Sequence, residues 1–150
     1  MSEKDRAVAL FKEGYNCSQS VFVAFAHRFD IDEETAKKIS AGLGGGLGRM
    51  REVCGAVSGA AMVIGSICAP TDGKDSDIKQ KNYELVREFA RRFTEENGSI
   101  ICRELLGLEV KMEKSAEPEK RTAEYYKKRP CAELVGCAAE ILQKMIKENE

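Results

Sequence analysis

The sequence predicts an all-α fold: a single compact helical domain over residues 1–150, of about six or seven helices around a central Gly/Ala-rich buried helix. Three observations predict it. Apolar residues recur at three- and four-residue spacing along most of the chain. No segment shows the strict alternation of a half-buried strand. Glycines gather at breaks between periodic segments, and proline occurs only three times.

The first helix is "EKDRAVALFKEG", with Ala7, Val8, Leu10 and Phe11 apolar and Gly14 as its stop. Asn16 and Ser18 flank Cys17, which opens the strongly apolar "QSVFVAFAHRF". "DEETAKKISAGL" follows, with Asp32 as N-cap and acidic residues in the first turn. Five glycines in the seven positions from Gly42 to Gly48 then force a loop or turn. The central helix lies within "REVCGAVSGAAMVIGSICAP", residues 51–70. After the loop "TDGKDSD", Ser76 or Asp77 caps an amphipathic helix from Ile78 to Glu96, with Tyr83, Val86, Phe89, Ala90 and Phe93 on one side. Asn97-Gly98 ends it. "ICRELLG" is a short helix, residues 109–121 are an exposed or mobile connection, and "RPCAELVGCAAEILQKMIKENE" is the last helix, with Pro130 in its first turn.

Charge and composition exclude several roles. The 24 basic and 25 acidic residues leave a net charge of −1, so no footprint for nucleic acid or polybasic membrane patch exists. Tryptophan is absent and aromatics are 7% of the chain, which argues against base-stacking platforms. The uncharged run from Val53 to Thr71 approaches the length of a membrane span. Its Gly, Ala, Ser and Cys content, its terminal Pro70 and its lack of an aromatic belt favour a buried helix without membrane insertion. Gly55, Gly59, Ala60 and Gly65 then let neighbouring helices approach. The first residues carry no secretory or transit pattern, so the expected location is cytoplasmic. In a reducing compartment the six cysteines are ligands, redox thiols or core fillers rather than a permanent disulfide framework.

No CxxC pair occurs among Cys17, Cys54, Cys68, Cys102, Cys131 and Cys137. This disfavours a thioredoxin-like dithiol, a ferredoxin-type run and a zinc knuckle. Cys17, Cys54, Cys102 and Cys131 each sit at a predicted helix N-terminus, where unpaired N–H groups and the dipole lower a thiol pKa. Of the two cysteines in the central stretch, Cys54, at the positive end of the helix, is the stronger candidate. Cys68 ends its helix and reads as packing. Cys137 lies about 120° around the last helix from Cys131 and about 9 Å along it, so those two do not pair. The lone His27 reads as a surface or capped residue rather than a base.

At these residues the chain resembles a family of redox-active proteins named for a Cys, a Cys-Gly-Ala-x-x-Gly motif and two further cysteines (C_GCAxxG_C_C). The motif stands here as Cys54-Gly55-Ala56-Val57-Ser58-Gly59. "GYNCSQSV", "CRELLG" and "CAELV" supply Cys17, Cys102 and Cys131, and "GLGGGLGRM" is also similar. The resemblance spans nearly the whole chain. It implies a redox role carried by the four shared cysteines. A related domain occurs in the split-Soret cytochrome, but this chain has no C-x-x-C-H motif, so covalent haem is not implied.

Three functions follow. In the first, Cys17, Cys54, Cys102 and Cys131 converge where helix N-termini meet, and a pair cycles between dithiol and disulfide with a redox partner or small-molecule substrate. Gly44, Gly45, Gly46 and Gly48 would then let the backbone approach a substrate or anion, with Arg49 or Arg51 supplying charge. In the second, the same four thiolates hold an iron–sulfur cluster or zinc. In the third, the chain is a non-catalytic helical interaction domain and its cysteines are packing. Homodimerisation is open in all three.

Overall fold

The computed structural model describes residues 1–107 and 115–150. Eight α-helices appear among the described residues: α1 (Glu3–Lys12), α2 (Cys17–Phe25), α3 (Glu33–Ser40), α4 (Gly55–Ile67), α5 (Ser76–Asn97), α6 (Cys102–Leu105), α7 (Ala123–Lys128) and α8 (Cys131–Glu148). The expected all-α class holds. The helix absent from the sequence reading is α7, six residues long and inside a charged stretch.

The ends of the helices follow local chemistry. Ser2, Asp32 and Thr122 accept from amides of the first turns of α1, α3 and α7. Asp75, one residue before the two expected candidates, caps α5 by accepting from the Ile78 amide at 3.2 Å. Gly98, at φ 91°, closes α5 as a left-handed C-cap. Pro130 stands just outside α8 as its N-cap, not in its first turn. The chain of α3 leaves the α-helix at Ser40 and passes through a 3₁₀ turn at Ala41–Leu43 into the glycine loop.

The core is built from α2 and α4 side by side, with α1 and α8 packed together across α2 and α5 closing against α4 and α8. Eight of the nine residues of α2 are buried, which makes it more enclosed than α4. α4 buries Gly55, Ala56, Val57, Gly59, Ala60, Val63 and Ile64, while Ile67 emerges at its end. A Cβ on Gly59 would stand 2.8 Å from the carbonyl oxygen of Ser18, and one on Gly55 would stand 3.1 Å from the Ser18 amide nitrogen. Those two glycines let α4 lie on the α2 backbone. Gly65 has no such role, because the nearest atom to its Cβ position is the Asn82 amide nitrogen at 4.0 Å.

On α5 only Phe89 and Phe93 are buried. Tyr83, expected on the same side, is 61% exposed, because it lies about 120° around the helix from Phe89. Residues 115–120 are exposed, as expected of the connection, and residues 109–114 lie outside the described residues. Arg121 departs from that expectation. Its guanidinium lies 4.2 Å from the centroid of Phe11 and donates to the carbonyls of Phe11 (2.8 Å) and Tyr15 (3.0 Å). That clamp, with Tyr125 and Tyr126 packed on Phe11, fixes α7 against α1. No helix among the described residues is long and apolar enough to cross a membrane.

Candidate functional site

Four helix N-termini meet around one cavity, and each brings one cysteine. Cys17, Cys102 and Cys131 are the first residues of α2, α6 and α8, and Cys54 is the N-cap of α4. All four line a cavity of about 480 Å³. Cys68 and Cys137 do not. Cys68 caps the far end of α4, and Cys137 is half-buried against Glu96, to whose carboxylate its thiol donates at 2.9 Å.

Local structure places each thiol. Asn16 and Gln19 form a reciprocal capping box, each side chain accepting from the other's amide at 2.9 and 3.1 Å. The same two side chains donate to the carbonyls of Ala41 and Lys37. Cys17 is therefore tied to the start of the glycine loop. On the opposite wall, Val53 makes an isolated antiparallel bridge with Ile101. The Cys54 amide donates to Ile100 (2.8 Å) and the Cys102 amide to Glu52 (2.6 Å), so one short ladder sets both thiols. Cys131 is held where α7 turns into α8.

The glycine loop contacts this ladder closely. A Cβ on Gly46, whose φ is +73°, would meet the Glu52 nitrogen at 2.6 Å and the Cys102 Cβ at 2.7 Å. Only glycine meets both the conformation and the space there. Gly44, Gly45, Gly46, Gly48 and Arg49 all line the cavity. The amides from Leu47 through Glu52, however, donate to carbonyls between Gly42 and Leu47. The loop is thus wound on its own hydrogen bonds, and those six amides do not form the anion nest that glycine density suggests.

The thiols are chemically unequal. Hydrogen bonding to the Cys17 thiol lowers the Cys131 pKa to about 7, against the cost of burial, with help from the guanidiniums of Arg129, Arg121 and Arg51. Cys17 is correspondingly held well above the ordinary thiol value by the same bond and by burial. Burial pushes Cys54 up to about 12 despite the amides of Ala56 and Val57 at its sulfur. At 3% exposure, desolvation of Cys54 outweighs the helix terminus. Burial also raises Cys102, opposed by Arg51, whose Nη1 lies 3.8 Å from the sulfur. Arg121, Arg129 and Tyr125 line the cavity but were not singled out in the sequence. The one local signal was Arg129, two positions before Cys131.

All six cysteines are free thiols. No group of three or more His, Cys, Asp or Glu side chains among the described residues is arranged to hold a metal ion. His27 is exposed and pairs with Glu3 at 2.9 Å, far from any thiol chemistry.

Similarity to known proteins follows the same residues. An uncharacterized protein of Archaeoglobus fulgidus is 27% identical over 154 residues, covering 98% of this chain and 95% of its own. No solved structure matches the chain. The family model described as "Putative redox-active protein (C_GCAxxG_C_C)" matches residues 15–145, a span that contains all four cavity cysteines, and the chain belongs to that family.

Proposed function

We propose that the protein is a thiol–disulfide redox protein whose cycling pair is Cys17 and Cys131. The observation that carries this reading is that Cys17 and Cys131 open two helices onto one cavity, where the Cys17 thiol eases the ionisation of Cys131. Cys131 is the attacking thiolate, because it is the cavity thiol whose ionisation is eased. Cys17 resolves the mixed disulfide, since its proton is retained until the neighbouring sulfur becomes electrophilic. Cys54 and Cys102 stand behind this pair in the same cavity as protonated thiols that a second disulfide exchange can reach. Gly46 supports the wall by allowing the loop backbone to approach Cys102. The free thiols suit a reducing compartment, in keeping with a cytoplasmic location.

The test is a redox titration followed by peptide mapping by mass spectrometry. The expected result is a two-electron transition in which the peptides holding Cys17 and Cys131 become crosslinked, and which Cys17→Ser and Cys131→Ser each abolish. A protein that keeps six free thiols from strongly reducing to strongly oxidising potentials would refute the reading. Exclusive crosslinking of Cys54 with Cys102 would move the cycling pair to the ladder.

A further inference from the structure

Access and charge together restrict what this cavity can take. Cys17, Cys54 and Cys102 are 9%, 3% and 8% exposed, so their sulfurs lie below the surface. A cavity of about 480 Å³ is in the range of small-molecule sites. Cys131, the attacking thiol, is only partly exposed, and Cys17 must follow it from a buried position, which a small molecule inside the cavity permits more readily than a disulfide on a folded protein surface.

The ionisable wall is strongly one-sided. Arg49, Arg51, Arg121 and Arg129 line the cavity, and Glu119 is the one carboxylate among the described lining residues. Glu119 pairs with Arg129 at 2.9 Å. Arg121 is anchored by two carbonyl oxygens, which orient its charge without cancelling it. Arg49 donates to the carbonyls of Ser115 and Glu117, so the connection after α6 helps to hold it at the cavity. Three of these guanidiniums, Arg129, Arg121 and Arg51, favour negative charge on the Cys131 sulfur. Such a field raises the local concentration of anions.

We propose that the substrate is a small anionic thiol compound, a carboxylate-bearing low-molecular-weight disulfide or the thiol it yields, drawn to Cys131 by the arginine-lined cavity. This rests on the dithiol reading above. The Cys131 thiolate attacks one sulfur of the disulfide R–S–S–R, forming Cys131–S–S–R and releasing R–S⁻. Cys17 then attacks the Cys131 sulfur, its proton passing to the departing thiolate. The second R–S⁻ leaves, and the Cys17–Cys131 bond forms. Two electrons and the Cys17 proton pass from the protein to the substrate, which ends as one thiol and one thiolate that takes its proton from solvent, and the reverse sequence reduces the protein.

The experiment uses the full chain carrying Cys17→Ser, so that the mixed disulfide on Cys131 is trapped and weighed. Dithiodiglycolate, hydroxyethyl disulfide and cystamine provide anionic, neutral and cationic probes. Each rate is normalised to that of the same disulfide with mercaptoethanol. At low ionic strength the normalised rate for dithiodiglycolate should exceed that for cystamine by at least about tenfold. Added salt and Arg49→Gln should each shrink that ratio. Equal normalised rates for the three probes would overturn the anionic substrate while leaving the dithiol reading in place. A Cys131 that none of the three probes modifies would overturn both.

Discussion

Cys17 and Cys131 face the same cavity from the first residue of α2 and the first residue of α8, and each shifts the other's ionisation. The pair lies between the helix most enclosed by the core and the last helix. Neither partner is special alone: both start helices, Cys17 buried and Cys131 partly exposed. Hydrogen bonding between the thiols makes them unequal. It stabilises negative charge on Cys131 and opposes it on Cys17, which is the division of labour between an attacking and a resolving thiol.

Alkylation of Cys131 should therefore follow a pH profile centred near 7 rather than at the ordinary 9.0. The group is an acid whose folded-state pKa is lowered, so its thiolate persists above about pH 7 and is lost below it. By the same sign, this group makes the reduced protein more stable as pH rises from about 7 toward 9. In Cys17→Ala the hydrogen bond is gone and burial remains. The midpoint should move up by a unit or more, with about tenfold slower iodoacetamide labelling at pH 7 for each unit. Residue-resolved mass spectrometry reads both. A midpoint unchanged in Cys17→Ala would show that the arginines alone set the value.

Arg51 acts on the other wall. Its guanidinium is buried, its Nη1 lies 3.8 Å from the Cys102 sulfur, and it also favours the Cys131 thiolate. Arg51→Met keeps much of the volume and removes the charge. Labelling of both Cys102 and Cys131 should require higher pH in this variant, whereas Cys137, across the molecule beside Glu96, should label as before. Unchanged profiles at Cys102 and Cys131 would show that the charge of Arg51 does not reach the sulfurs.

The motif glycines separate by the atoms they face. Gly59→Ala places a methyl 2.8 Å from the Ser18 carbonyl, a backbone atom at the α2–α4 contact that has little room to retreat. A cost of about 1–3 kcal/mol is expected from overpacking of this kind. Gly65→Ala meets nothing nearer than 4.0 Å within the same helix. It should stabilise the protein by about 0.5–1 kcal/mol, because alanine restricts the unfolded chain. Denaturant midpoints of the two variants against the parent check the opposite signs.

The same contrast explains what was legible in the sequence. Helices with three or more turns carry their own apolar period, and α1, α2, α4, α5 and α8 are readable from it. The short α7 carries none. It exists because Tyr125 and Tyr126 pack on Phe11, a residue from the other end of the chain, and because Arg121 clamps the turn before it. The arrival of four cysteines at helix starts was visible, since glycine, asparagine and proline punctuation marks those starts. Their ranking was not. Which thiol ionises depends on how deeply each is buried and on guanidiniums delivered from residues 51, 121 and 129, distances that no local pattern encodes. The winding of the glycine loop was equally hidden: left-handed conformations turn the amides from Leu47 through Glu52 onto carbonyls of the loop itself, a path that glycine density does not specify.

Oxidation should lock the fold as well as change its chemistry. A Cys17–Cys131 disulfide closes a loop containing most of the chain, from the start of α2 to the start of α8. Chain-entropy arguments put the stabilisation from so long a closure at about 4 kcal/mol, less any strain in the native state. For a domain of this size that corresponds to a rise in Tm of about 10 °C. The gain follows from removing conformations of the unfolded chain, so it does not depend on new contacts in the folded one. Thermal melts of the oxidised and fully reduced protein, with peptide mapping of the oxidised sample, measure it. In Cys17→Ala and Cys131→Ala the two melts should coincide. An oxidised parent that melts no higher than the reduced one would mean that closing the bond pulls α8 away from α2 and loses in packing what it gains in chain entropy.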